Sequence, residues 1–161
     1  MKKIIAIAAG DPDSINSEII AKAWKKKILF KNLDIFIVGN YNLIKQQLRA
    51  LKISIKLGKL KNIDKQNFKK QLLVYDVPLR FKSPFNTPIK YKSKYIIKSL
   101  NICSYLAKEK KIVGFINCPI DKKEIFKNKS FGVTEFLAKK LGVLGKETML
   151  IYNKNLSVSP V

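Results

Sequence analysis

Three short stretches of this chain concentrate the groups that do chemistry. Gly10-Asp11-Pro12-Asp13-Ser14-Ile15-Asn16-Ser17-Glu18 carries three acids, Asn117-Cys118-Pro119-Ile120-Asp121-Lys122 sets an acid beside a lysine, and Gly132-Val133-Thr134-Glu135 sets a hydroxyl beside an acid. Each side chain also has a purely structural use. In the Gly10-Asp11-Pro12 turn, Asp11 is placed to accept hydrogen bonds from nearby amides and brace the turn. Glu18 suits the first turn of a helix, where the dipole favours negative charge, and Thr134 followed by Glu135 suits a helix N-cap. These patterns identify no catalytic residue. They also offer no metal site, because the chain has no histidine, and Cys103 and Cys118, fifteen positions apart, match neither a zinc-ligand spacing nor a disulfide framework. Both cysteines are expected to be small buried residues.

The surrounding pattern says what must position these stretches. Lys3 to Ala8 reads as a buried strand ended by Gly10-Asp11-Pro12, since proline lacks an N–H and fixes φ. A helix is expected next, with Ser14 or Asn16 as N-cap, Ile15, Ile19, Ala23 and Trp24 along one side, and Lys25 to Lys27 in its last turn. Asp34 to Val38 is a second strand closed by Gly39-Asn40, and Tyr41 to Leu51 a helix with Leu43, Ile44, Leu48 and Leu51 on one side. Ile53 to Leu57 reads as a short strand, Gly58 to Lys70 as a loop or ragged helix, and Leu72 to Tyr75 as a strand. After Pro78, Pro84 and Pro88 comes a long helix over Tyr91 to Lys110. Ile112 to Asn117 is the next apolar strand, Asp121 to Phe126 a short helix, and Thr134 to Leu141 a helix stopped by Gly142. Thr148 to Tyr152 and Leu156 to Ser159 form an expected hairpin. Apolar strands alternating with helices argue for an α/β fold, a twisted and mostly parallel sheet with helices on both faces. Ligands collect at the carboxyl ends of such strands, which singles out Gly10 to Glu18, Asn117 to Lys123 and Gly132 to Glu135.

In this order and spacing, the three stretches resemble the signatures G-D-P-A-G-I-G-P-E-I, T-A-P-I-N-K and F-P-G-H-T-E-F-L-A of the 4-hydroxythreonine-4-phosphate dehydrogenases, the PdxA family. The third is matched here as Phe131-Gly132-Val133-Thr134-Glu135-Phe136-Leu137-Ala138. The resemblance covers essentially all of residues 1–161 and implies the N-terminal half of an isocitrate/isopropylmalate dehydrogenase-like fold, truncated before a C-terminal half. It further implies a homodimer with its active site in an interdomain cleft. The family's reaction is oxidation of phosphorylated 4-hydroxythreonine at C3 followed by decarboxylation, in pyridoxal phosphate (vitamin B6) synthesis, with NAD or NADP as hydride acceptor and a divalent metal (Mg, Mn, Zn or Co) as Lewis acid. Carried over residue by residue, Thr134 and Lys122 would hold substrate, the lysine as a point charge for phosphate or carboxylate, while Gly10, Asp11 and Pro12 form the structural turn. A merely solvated Lys122 is the competing reading.

The chain also departs from the family. Val133 stands where the family has a substrate-binding histidine, Ser14 and Asn16 replace glycines, and the family's three metal-binding histidines have no counterpart. The first of them would be expected in a T-T-H segment beyond Val161. The isolated chain is therefore expected to be inactive, and three alternatives stay open: a non-catalytic paralogue or fragment, a dehydrogenase of another phosphorylated hydroxy acid, and a basic nucleic-acid-binding protein. The last is raised by a formal charge of +22. Against it, nearly all that charge is lysine spread along the chain, with Arg49 and Arg80 the only arginines, whereas base readout favours arginine. The apolar runs are strand-sized, far short of the roughly 20 residues of a membrane span, and the acids at Asp11 and Asp13 come too early for a signal peptide. A cytoplasmic location is expected.

Overall fold

A computed structural model describes residues 3–30, 32–64, 67–68, 70–126 and 132–159. Its elements run β1 (Lys3–Ala8), α1 (Asn16–Lys25), a 3-10 turn (Lys27–Phe30), β2 (Leu33–Gly39), α2 (Tyr41–Ala50), β3 (Leu57–Lys59), β4 (Leu72–Asp76), α3 (Ile89–Lys108), β5 (Gly114–Asn117), α4 (Lys122–Phe126), α5 (Val133–Leu141), β6 (Ile151–Tyr152) and β7 (Ser157–Val158). The expected α/β architecture is present. A five-stranded sheet has the order β3-β4-β2-β1-β5 with every pairing parallel, and β6 and β7 pair antiparallel as a separate hairpin. Phe131 of the third motif lies outside the described residues.

Alternation along the central strands distributes side chains to both faces, as the period of two requires. Ala6, Ala8, Phe36, Val38 and Leu73 join Tyr95, Ile96, Leu100 and Cys103 of α3 and Ile125 of α4 in one core. Ile7, Ala9, Ile37, Leu72 and Val74 join Ile20 and Ala21 of α1 and Ile44 and Leu48 of α2 in the other. Burying a side chain such as Ile44 or Leu48 contributes roughly 1.5–3 kcal/mol, so α2 is held mainly by this face.

Several expectations are corrected. The α1 boundary falls at Ile15, without a side-chain cap, although the Ser14 hydroxyl accepts from the Asn16 N–H at 3.2 Å. Asn16 is the first helical residue, not the cap, and the helix turns Asn16, Ser17, Ile20 and Ala21 inward while Ile15 and Ile19 are exposed. The strand expected at Ile53 to Leu57 is β3, which begins only at Leu57. Ile53 and Ile55 pack on the α1/α2 core without joining the ladder, so their alternation reports burial rather than pairing. β5 begins at Gly114, not Ile112, and is a sheet edge whose Ile116 is 53% exposed. Thr134 is not an N-cap: Gly132 holds that position and Thr134 is the second helical residue. Gly142 ends α5 in the left-handed region at φ 75°, as expected.

Candidate functional site

The chain winds outward from β1 in two directions. From β1 it passes through α1 on one face to β2, and it returns through α3 on the other face to β5, on β1's opposite side. The strand order thus reverses between β1 and β5, and in open parallel sheets the crevice beyond the carboxyl ends of such a pair is where ligands bind. The Gly10–Glu18 stretch leaves β1 there, and the Asn117–Lys122 stretch leaves β5 there.

Gly10 opens the first stretch with φ 72°. A Cβ at this position would lie 2.6 Å from the Pro119 carbonyl oxygen and 2.6 Å from the Asn16 amide nitrogen, so glycine is required by both conformation and space. Asp11 then performs the bracing role expected of it: its Oδ1 accepts from the Asp13 N–H at 2.9 Å, and its own N–H donates to the Pro119 carbonyl at 3.1 Å. Asn16 is 2% exposed, and its Nδ2 donates to the carbonyls of Ala9 (3.0 Å) and Pro119 (2.9 Å). One side-chain amide therefore locks the β1 loop to the β5 loop. From α2, the buried Gln47 adds a third tie, its Nε2 donating to the carbonyls of Pro12 and Pro84.

Lys92 stands at the centre of this end of the molecule, and nothing in the sequence marked it among so many lysines. It lies in the second turn of α3, its side chain 14% exposed, with Nζ 2.9 Å from Asp13 Oδ2, 3.7 Å from Asp11 Oδ1 and 3.7 Å from Glu124 Oε2. Burial works to lower the ammonium's pKa, but the hydrogen bond to Asp13 and the charges of Asp11, Asp13 and Glu124 outweigh it and raise it. Asp13 also accepts from the Thr87 N–H at 3.1 Å. In a strongly basic chain this is a local acidic excess, three carboxylates around one ammonium. Asp13 Oδ1, Asn16 Oδ1, Ser17 Oγ and Asn117 Oδ1 are buried there with no protein partner, polar capacity of the kind found beside functional sites.

Lys122 is the exposed first residue of α4, a short helix capped by Asp121, whose Oδ1 accepts from the N–H groups of Lys123 (2.9 Å) and Glu124 (3.1 Å). Thr134 is exposed in the first turn of α5 beside the half-buried Val133. Both helices pack on α3, and the Phe126 and Phe136 rings meet at 5.7 Å between centroids. Glu18 sits in the first turn of α1 and pairs with Lys22 at 2.6 Å.

The residues present do not fit a divalent transition metal. There is no histidine, and burial pushes the Cys103 and Cys118 thiols up to about 12 and about 11, so neither supplies a thiolate. Among the described residues no cluster of donors converges on a metal-sized point, and the Asp11, Asp13 and Glu124 carboxylates close around Lys92 instead. No helix of the described residues is long and apolar enough to cross a membrane.

The family model described as "Pyridoxal phosphate biosynthetic protein PdxA" matches residues 31–161. A 4-hydroxythreonine-4-phosphate dehydrogenase of Zymomonas mobilis is 24% identical over 151 residues, covering 92% of this chain and 44% of the relative. A Fusobacterium nucleatum protein whose proposed activity is D-threonate 4-phosphate dehydrogenase is 26% identical over 132 residues, covering 78% of this chain and 39% of the relative. Solved structures of 4-hydroxythreonine-4-phosphate dehydrogenases from Burkholderia phymatum and Klebsiella pneumoniae superpose with TM-scores of 0.84 and 0.81 at 18% and 20% identity, each over 99% of this chain and 49% and 50% of theirs. The chain thus spans half or less of the length of the relatives it matches.

Proposed function

Since this chain belongs to the PdxA family of pyridoxal phosphate biosynthetic proteins, we propose that it forms the N-terminal wall of a dehydrogenase site that oxidises the secondary alcohol of phosphorylated 4-hydroxythreonine in the cytoplasm. One observation carries the reading: the Asn16–Pro119 hydrogen bond ties two of the family's motif loops together at the carboxyl ends of β1 and β5, the ligand-binding end of such a sheet. In the family reading, NAD or NADP would supply the hydride acceptor and a divalent metal a Lewis acid. The donors of this chain do not suit the metal. Its own contribution is positioning. Lys122 meets the substrate phosphate or carboxylate as a point charge, the Thr134 hydroxyl hydrogen-bonds the substrate, and the Gly10 turn fixes the floor between them. The cleft's second wall and the metal ligands come from the sequence that family members carry beyond this span, assembled as a homodimer.

A second reading concerns substrate. Val133 cannot hydrogen-bond where the family has histidine, and the Fusobacterium relative carries a D-threonate 4-phosphate activity in its name, so a different phosphorylated hydroxy acid fits the same frame. The test is NADH formation by the purified 161-residue chain with each substrate and Mg²⁺, Mn²⁺ or Zn²⁺, alone and mixed with the C-terminal half of a family member. Turnover should appear only on mixing, with Lys122→Gln and Thr134→Val raising KM. Turnover by the lone chain would overturn the division of roles, and silence of every mixture with both substrates would overturn the activity.

A further inference from the structure

Away from the β1/β5 crevice, the loop after β4 and the first half of α3 border an open cavity of about 360 Å³ lined by Pro78, Leu79, Arg80, Tyr91, Lys94, Tyr95 and Lys98. Its construction follows from spacing. Tyr91, Lys94, Tyr95 and Lys98 stand at i, i+3, i+4 and i+7, which is one face of a helix, and Arg80 reaches over it from the loop, its guanidinium carbon 5.9 Å from the Tyr91 ring. Lys90 Nζ lies 5.0 Å from the same ring. Beneath them lies the buried Tyr95, 3% exposed, its hydroxyl accepting from the Asn40 N–H at 3.1 Å.

Two features of this cavity are electrostatically one-sided. Among the described residues, no carboxylate lies within ion-pair distance of Arg80, Lys90, Lys94 or Lys98, in contrast to Lys92 on the adjoining side of the same helix. Lys90 also sits in the first turn of α3, which contains no acidic residue, although the positive end of the helix dipole favours negative charge there. Hydrogen bonding from Arg80 and then from Lys90 holds the Tyr91 phenol below its ordinary pKa. Three or four like charges facing one concavity repel one another, and a bound anion reverses that sign.

We infer that the cavity between Pro78–Arg80 and α3 binds a small organic phosphate, its phosphate held by Arg80, Lys94 and Lys98 and its planar group laid against Tyr91 and the Leu79 floor. A volume of about 360 Å³ falls at the small end of ligand sites, suiting a monophosphate ester rather than a dinucleotide. The guanidinium provides the bidentate phosphate contact that lysine cannot. This site is independent of the dehydrogenase reading.

Calorimetric titration with adenosine 5′-monophosphate, inorganic phosphate, adenosine and a short single-stranded oligonucleotide separates the sources of binding. The monophosphate should bind more tightly than phosphate, and adenosine weakly. The variant Arg80→Gln/Lys94→Gln/Lys98→Gln alters only exposed side chains and should weaken monophosphate binding at least tenfold. Lys139→Gln/Lys140→Gln/Lys146→Gln, with the same change in net charge, should alter it by less than about twofold. Equal weakening by both variants would reduce the effect to nonspecific attraction and overturn the site. So would oligonucleotide binding that needs Arg80, Lys94 and Lys98 while the monophosphate fails to bind, which would assign the face to nucleic acid.

Discussion

Asn16 and Pro119 lie 103 positions apart, yet the Asn16 side-chain amide donates a 2.9 Å hydrogen bond to the Pro119 carbonyl and thereby sets the distance between the two loops that crown β1 and β5. Removing it should be costly because the acceptors stay buried. Asn16→Ala is expected to lower unfolding free energy by about 1–3 kcal/mol. Asn16→Asp should cost more, since it turns a charged acceptor toward the carbonyls of Ala9 and Pro119. Urea denaturation of the two variants checks the order, which a merely surface role would not produce.

Gly10→Ala should destabilise through both strain and contact. The residue would sit at φ 72° with its methyl 2.6 Å from Pro119 O, a cost of at least about 2 kcal/mol by the size of single left-handed or clashing positions. Gly145→Ala offers a comparison: its φ is 80°, but nothing lies within 4 Å of an added Cβ. The difference between the two melting temperatures isolates the contact.

Lys92→Met leaves Asp11, Asp13 and Glu124 facing one another around a partly buried gap. Breaking such a pair by removing one partner is expected to cost about 3 kcal/mol. Lys111→Met removes a pair with Asp64 that is exposed on both sides and should change stability by less than about 1 kcal/mol. Chemical denaturation at low and high salt should show the Lys92 loss persisting where the Lys111 effect vanishes.

Stability should decline on the alkaline side beginning near pH 9. Burial holds the Cys103 and Cys118 thiols at about 12 and about 11 in the fold, against an ordinary value of 9.0. Above pH 9 the unfolded chain therefore loses protons that the folded chain keeps. Each thiol adds a slope of about 1.4 kcal/mol per pH unit until its folded pKa is reached. Lys92 adds a second phase: its pKa is raised from 10.5, so its contribution is complete below that value and lost as pH rises beyond it. Urea midpoints from pH 7 to 11 test this, and Cys118→Ala should flatten the first phase.

Much of this architecture was legible because the strands are buried on both faces. β1, β2 and β4 carry the short apolar runs Ile4–Ala8, Ile35–Val38 and Leu72–Tyr75, α2 presents Leu43, Ile44 and Leu48 at helical spacing, and the Gly-Asp-Pro turn marks the end of β1 and places Asp11 to brace it. At α1 the sequence misleads because the fold uses polar groups inside. α1 buries Asn16 and Ser17 and exposes Ile15 and Ile19, inverting the apolar rule because Asn16 is needed across the crevice. Lys92 meets its carboxylates only because α3 packs against the β1 loop, and the Arg80 partner of the Tyr91, Lys94, Lys98 face lies in another element. For Thr134 the difference is a single turn position, which hydroxyl chemistry alone does not fix.

The outer side of β5 has a further physical consequence. Among the described residues no strand pairs with it, and Val113 and Ile116 are 65% and 53% exposed beside it. Unpaired ladder groups flanked by apolar side chains are a template on which a second strand can add. What keeps copies apart is the +22 charge, a long-range repulsion that must be crossed before two edges can meet. Colloidal behaviour is therefore tied to the Debye length: about 10 Å at 0.1 M salt and about 3 Å at 1 M. Light scattering should show a dispersed protein in dilute buffer whose self-association rises as salt or multivalent anions shorten that range, and a lysine placed at Ile116 should restore dispersion without touching the crevice at all.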